Sequence, residues 1–171
     1  MLNSQCSMIN NSLFRRIELQ LLMNLTARAF RQPSKRIWTL PHADALRTYA
    51  EYTRDHLKEG ADEALLLRMN SEAYRMGHLL RRLLCVRSEA AAERIVVALY
   101  RNIGIDMSFA DSDQLCFHCC YFGSYYTPAV CLAASALDDG IIRGVTGRKT
   151  HRLCFSQRIT EGCSCCKATL K

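Results

Sequence analysis

Through the first hundred residues apolar side chains return at intervals of three and four, and after Gly104 the interval shortens to two. The chain therefore reads as helices followed by strands. The first helix begins at Ser12, with Leu13, Ile17, Leu21, Met23, Leu25 and Phe30 on one side of the wheel, and ends at Gln32-Pro33-Ser34. A second starts near Leu40-Pro41, with proline in the first turn, where its missing N–H is harmless, and stops at Glu59-Gly60. Leu46, Tyr49, Ala50, Thr53 and Leu57 form its buried stripe. The third covers Asp62 to Cys85, with Leu65, Leu66, Met69, Ala73, Met76, Leu79, Leu80 and Leu83 as its apolar face. The fourth follows Ser88, an expected N-cap, and turns Ile95, Val96 and Leu99 inward.

Beyond Asn102-Ile103-Gly104, Ile105, Met107 and Phe109 alternate with polar residues, Asp111-Ser112-Asp113 makes a turn, and Leu115 to Tyr121 alternates again. A hairpin is expected there. Thr127-Pro128 opens a helix through Val130, Cys131, Ala134 and Leu137; Asp138-Asp139-Gly140 is expected to interrupt it before Ile141 and Ile142 continue toward Gly144 or Gly147. His151 to Arg158 and Cys165 to Leu170 read as a second strand pair joined by residues 159–164. The expected class is α+β, a helical half over residues 1–103 followed by an antiparallel ββαββ module over residues 104–171, the two together forming either two units or one domain.

Length permits a core without covalent staples, so the ten cysteines of this chain of 171 residues call for another account. Eight of them fall at positions 116, 119, 120, 131, 154, 163, 165 and 166, in the bursts Cys-Phe-His-Cys-Cys and Cys-Ser-Cys-Cys. Residues 17–25 contain Glu18, Gln20 and Asn24, which spoils a secretory leader, and no stretch is apolar enough to span a membrane. The expected location is the cytoplasm, where clustered thiols point to metal binding or thiol chemistry before structural disulfides.

Spacing nominates Cys116, Cys119, Cys163 and Cys165 as four sulfur ligands for zinc or an iron–sulfur cluster. Strand alternation groups the side chains differently. It puts Cys116, His118 and Cys120 on one face of their strand and Phe117 with Cys119 on the other; on the last strand Cys166, Ala168 and Leu170 face inward and Cys165 joins Lys167 outside. The shared pockets expected from alternation are Cys116, Cys120, Cys131 and Cys166 toward the helix, or Cys119 with Cys165 on the opposite face. A thiol nucleophile would draw on His118 or His151 as base and on Asp138 or Asp139 to orient it or activate water. Arg158 is either a carboxylate holder at the sheet rim or the ion-pair partner of Glu161. Cys6 and Cys85 read as small apolar side chains.

Charge is uneven. The net +7 comes almost entirely from residues 1–103, which hold sixteen Lys and Arg against ten Asp and Glu, while the remainder holds seven against six. A basic helical surface suits nucleic acid or an acidic partner, and equally suits solvent.

Taken together, a helical first half, Cys119 or Cys120, then Cys131 and Asp138, then Arg158-Ile159-Thr160-Glu161-Gly162-Cys163-Ser164-Cys165-Cys166 resembles the L-2-amino-thiazoline-4-carboxylic acid hydrolase-like family. More distantly it resembles the vinyl-reductase type of small-ligand-binding domain. The stretch concerned is roughly residues 105–170, in which Gly162 and Cys165 keep the family spacing and Phe155 stands where its strand arginine is expected. The resemblance implies hydrolytic opening of a cyclic C–N bond in a small thiazoline carboxylate. Cys119, Cys120 or Cys165 would supply the thiol, His118 and Asp138 the acid–base groups, and Arg158 the carboxylate grip. A non-enzymatic ligand- or metal-binding sensor is the alternative expectation.

Overall fold

The structure is a computed structural model that describes residues 12–171, so Cys6 lies outside the described residues. Helices α1 (Ser12–Phe30), α2 (His42–Leu57), α3 (Glu63–Leu83) and α4 (Glu89–Asn102) precede strands β1 (Ile105–Asp111) and β2 (Gln114–Cys120); helix α5 (Pro128–Thr146), then β3 (Leu153–Gln157) and β4 (Cys166–Leu170) complete the chain. The α+β class and the order of elements are as expected. None of the described helices is long and apolar enough to cross a membrane.

Side-chain oxygens close the helix starts. Asp62 accepts from Leu65 N at 2.6 Å, Ser88 from Ala91 N at 3.2 Å and Thr127 from Val130 N at 3.3 Å. Each satisfies a backbone donor that has no partner within its helix. Pro41 takes the N-cap of α2 rather than its first turn, and Pro128 follows Thr127 at the head of α5.

Helix α1 is rotated from its expected setting. Leu13, Ile17 and Leu21 are 57%, 45% and 39% exposed, while Leu19, Leu22, Met23, Leu25 and even Glu18 are buried. The sequence of α1 has apolar rows on two sides, and contact with α2 and α3 decides which one is covered. A similar shift operates in α3, whose Leu79 and Leu83 are exposed while Met69, Ala73, Gly77 and Leu80 are buried.

Helix α5 runs through Asp138-Asp139-Gly140 without interruption and ends at Gly147, whose φ of 78° suits glycine. Gly140 is a contact residue, not a breaker. A Cβ there would run into the Asn70 carbonyl of α3; one on Gly144 would meet the Tyr74 carbonyl, and one on Gly77 the Ile141 carbonyl. These glycines let α3 and α5 approach backbone to backbone. Gly140→Ala is expected to destabilise the fold by about 1–3 kcal/mol because rigid carbonyls must move, despite a helix-propensity gain of up to about 1 kcal/mol. Urea denaturation measures the balance, and a more stable variant would show that the crossing is loose.

The four strands lie in the order β1-β2-β4-β3, each neighbour antiparallel. Ile105, Met107, Leu115, Phe117, Cys166, Ala168 and Leu170 cover the inner face against the helices. One hydrophobic core joins residues on both sides of position 103, from Leu19 to Leu170.

The β1–β2 ladder is irregular. Asp106 pairs with Cys119 and Met107 with Phe117, so His118 is an extra residue in β2. Such a bulge resets the alternation of faces beyond it. Phe117 points inward, His118 and Cys119 are both exposed, and Cys120 turns back inside.

Candidate functional site

A cavity of about 80 Å³ lies between the helices and the end of the sheet, closed by two single-turn helices at Tyr121–Ser124 and Ile159–Glu161. Its wall is aliphatic and aromatic apart from Asp138, Thr160, three thiols and tyrosines from α2, α4 and the turn before α5. The bulge delivers Cys120, the first turn of α5 delivers Cys131, and the inward face of β4 delivers Cys166. Asp138 projects from the middle of α5.

Burial dominates the electrostatics here. It pushes the Asp138 carboxyl up to about 6, against the opposing effects of the Tyr100 hydroxyl, which donates to Oδ1 at 2.8 Å, and the nearby Arg158 charge. Burial, followed by the Asp138 charge, pushes the Cys120 thiol up to about 12. Cys131 and Cys166 are also raised by burial, with the Thr160 hydroxyl and the Ile159 N–H respectively opposing the shift. The Ile159 N–H donates to Cys166 Sγ at 3.2 Å. The cavity thus presents neutral thiols and one carboxyl able to titrate near neutrality.

Arg158 stands outside the cavity wall but close to it. Its guanidinium lies 4.8 Å from the Phe155 ring centre and 3.8 Å from Glu161, so the expected ion pair forms. Among the described residues its buried Nε has no hydrogen-bond partner. Gly162, with φ of 90°, turns the chain immediately afterward.

The other expected residues occupy the opposite face of the sheet. Cys116 lies outward between Leu115 and Phe117, which are buried, so it does not join Cys120, Cys131 and Cys166. It contacts the Cys165 thiol and stands 3.6 Å from His118 Nδ1, while His118 Nε2 meets Ser108 Oγ at 2.8 Å. Gln157 Nε2 donates to Cys165 Sγ at 3.3 Å. Cys119 is exposed beside the bulge, Cys154 is exposed on β3, and Cys163 lies half-buried after Gly162. Cys85 is exposed with φ of 50°, contrary to its reading as a small core residue.

The expected catalytic set is consequently divided: Cys120 and Asp138 are at the cavity, whereas His118, Cys119 and Cys165 are not. Among the described residues no three His, Cys, Asp or Glu side chains are arranged to hold a metal ion; of Cys116, Cys119, Cys163 and Cys165, the first and last have their thiols in contact. Comparison with protein-family models, characterised proteins and solved structures gave no match.

Asp139, paired with Asp138 in the sequence reading, has a separate role. It accepts from Arg143 Nε at 3.0 Å, Asn70 Nδ2 at 2.5 Å and Leu153 N at 2.7 Å, tying α3, α5 and β3 together. Tyr100 and Thr160 were not singled out as cavity groups by sequence. Their only local signals are a polar residue in the last turn of α4 and a hydroxyl in the turn before β4. Several helical arginines meet acids at the surface, including Arg28 and Arg75 with Glu72 and Arg47 with Asp44.

Proposed function

We infer that the protein is a small-ligand-binding module whose cavity takes a compact, mainly apolar molecule carrying one amine- or amidine-type N–H toward Asp138. The carrying observation is that, among the described residues, Asp138 is the one carboxyl on a mainly apolar, thiol-lined wall. A buried carboxylate without a full cationic partner is costly. A positively charged nitrogen would relieve that cost, and the apolar wall would hold the rest of the molecule. A cavity of this size suits ligands smaller than benzene, which occupies an apolar cavity of roughly 150 Å³.

Hydrolytic opening of a cyclic amidine carboxylate, implied by the resemblance, is the second reading. A carboxyl titrating at about 6 favours it, since such a group can take and return a proton near neutrality. Asp138 would activate water, while Arg158 at the rim would hold the substrate carboxylate. Cys120 retains its proton under these conditions and is better suited to lining the cavity than to attack.

Titration with acetamidine, an amidine smaller than benzene, followed by NMR of signals from α5 and β4, tests the binding reading. Affinity is expected to increase as pH rises through about 6, where Asp138 ionises. Asp138→Asn should weaken binding at neutral pH by roughly 10-fold or more and remove that pH dependence. No saturable binding, or the same pH profile in the variant, would refute the assignment. Incubation with 2-aminothiazoline-4-carboxylate separates the second reading: turnover lost in Asp138→Asn supports hydrolysis, and binding without turnover restricts the protein to a binding role.

A further inference from the structure

We propose that Cys116 and Cys165 are a dithiol that exchanges with low-molecular-weight disulfides on the outer face of the sheet, Cys165 attacking and Cys116 resolving. The site is separate from the cavity and does not rest on the proposed ligand. Two thiols, a base and an amide donor meet here, although their residues come from β2, the end of β3 and the segment leading into β4.

Geometry distinguishes the two sulfurs. Cys165 Sγ receives the Gln157 amide N–H at 3.3 Å and contacts the Cys116 thiol, so two donors converge on this sulfur. Cys116 has His118 Nδ1 on its other side at 3.6 Å, a base placed to remove its proton. Ser108 Oγ, 2.8 Å from Nε2, holds the ring in that orientation. Partial burial and the adjacent Cys165 raise the Cys116 thiol above its ordinary range, with Lys167 acting in the opposite direction. Cys116 is thus the thiol that keeps its proton until the second step. Both sulfurs are half-buried, accessible to a small disulfide and partly shielded from larger reagents.

The chemistry is two successive exchanges. The Cys165 thiolate attacks one sulfur of a disulfide RSSR, forming the mixed disulfide Cys165–S–S–R and expelling RS⁻. His118 then accepts the Cys116 proton, and the Cys116 thiolate attacks Cys165 Sγ, expelling the second RS⁻. Protons lost by the two cysteines appear on the two released thiols. The protein dithiol is oxidised by two electrons and RSSR is reduced to two RSH, with no other reactant.

Reduced full-length protein treated with glutathione disulfide, quenched by alkylation and mapped by mass spectrometry tests the assignment. A Cys116–Cys165 bond should form with release of two thiols, ahead of modification at exposed Cys154. Cys116→Ser should stop at a mixed disulfide on Cys165. His118→Ala should slow release of the second thiol by at least about tenfold while leaving the first unchanged. The proposal is overturned if oxidation of the wild type joins other cysteines or leaves the pair reduced, or if Cys116→Ser collects the mixed disulfide at Cys154 or Cys119 instead. Mapping the wild-type protein decides the pairing even if a variant folds poorly.

Discussion

Asp139→Ala is expected to destabilise the protein by about 3–5 kcal/mol, a large fraction of the stability of a domain of this size. Asp139 and Arg143 each retain 9% side-chain exposure and pair at 3.0 Å. The arginine also donates to Asn70 Oδ1 at 2.6 Å and to the Lys149 carbonyl at 2.7 Å, while the aspartate receives the Leu153 backbone N–H. Removing the carboxylate leaves a guanidinium buried beside the Tyr74 ring and strands the Leu153 N–H, while Asn70 Nδ2 loses one of its two acceptors and keeps the Ala136 carbonyl. The penalty comes from those unmatched groups more than from loss of the ion pair itself. Urea denaturation at neutral pH should show a lower midpoint with an unchanged slope. A loss below about 1 kcal/mol would mean that water reaches the network and restores its partners.

The second large effect concerns pH. Burial raises Glu18 from an ordinary 4.5 to about 8, although Asn102 Nδ2 donates to Oε2 at 2.8 Å and the Arg15 charge also favours ionisation. The folded protein therefore holds this proton more tightly than the unfolded chain. Its contribution to stability is full below pH 4.5, declines as pH rises toward 8 and levels off beyond it. A shift of this extent corresponds to about 5 kcal/mol at most. Asp138 acts in the same direction over a lower window, from 3.8 to about 6. Glu18→Gln keeps an oxygen for Asn102 and removes the ionisation. The variant should match the wild type near pH 4.5 and exceed it increasingly toward pH 9, as measured by urea midpoints across that range. Equal midpoints at pH 9 would place Glu18 in contact with solvent and refute the assignment.

Both predictions concern residues whose importance is hard to see along the chain. Glu18 lies between the apolar rows of α1, and a one-dimensional pattern reads it as part of the polar face. It becomes internal because α1 presents Leu19 and Leu22 to the core and leaves Leu13 and Ile17 outside. Asp139 sits in an Asp-Asp-Gly run that resembles a helix interruption, but Gly140 is required by the close approach of α3. The cysteine bursts show a similar limit. Alternation correctly directs Cys166, Ala168 and Leu170 inward, yet it fails on β2 because a single extra residue, His118, changes which face Cys120 occupies. A bulge depends on pairing with β1 and has no marker in the local composition.

By itself the sequence determined the α+β class, the order of helices and strands, the capping residues Ser88 and Thr127, and the inward face of β4. These follow from periodicity and from hydrogen bonds between near neighbours, interactions that span a few residues. Only the tertiary structure decided which row of α1 is buried, which thiols meet, and that adjacent Asp138 and Asp139 face a cavity and an arginine respectively. Those outcomes depend on partners as far away as Asn70 is from Asp139, 69 residues along the chain. A local pattern can specify an element; it cannot specify what that element's side chains will find opposite them.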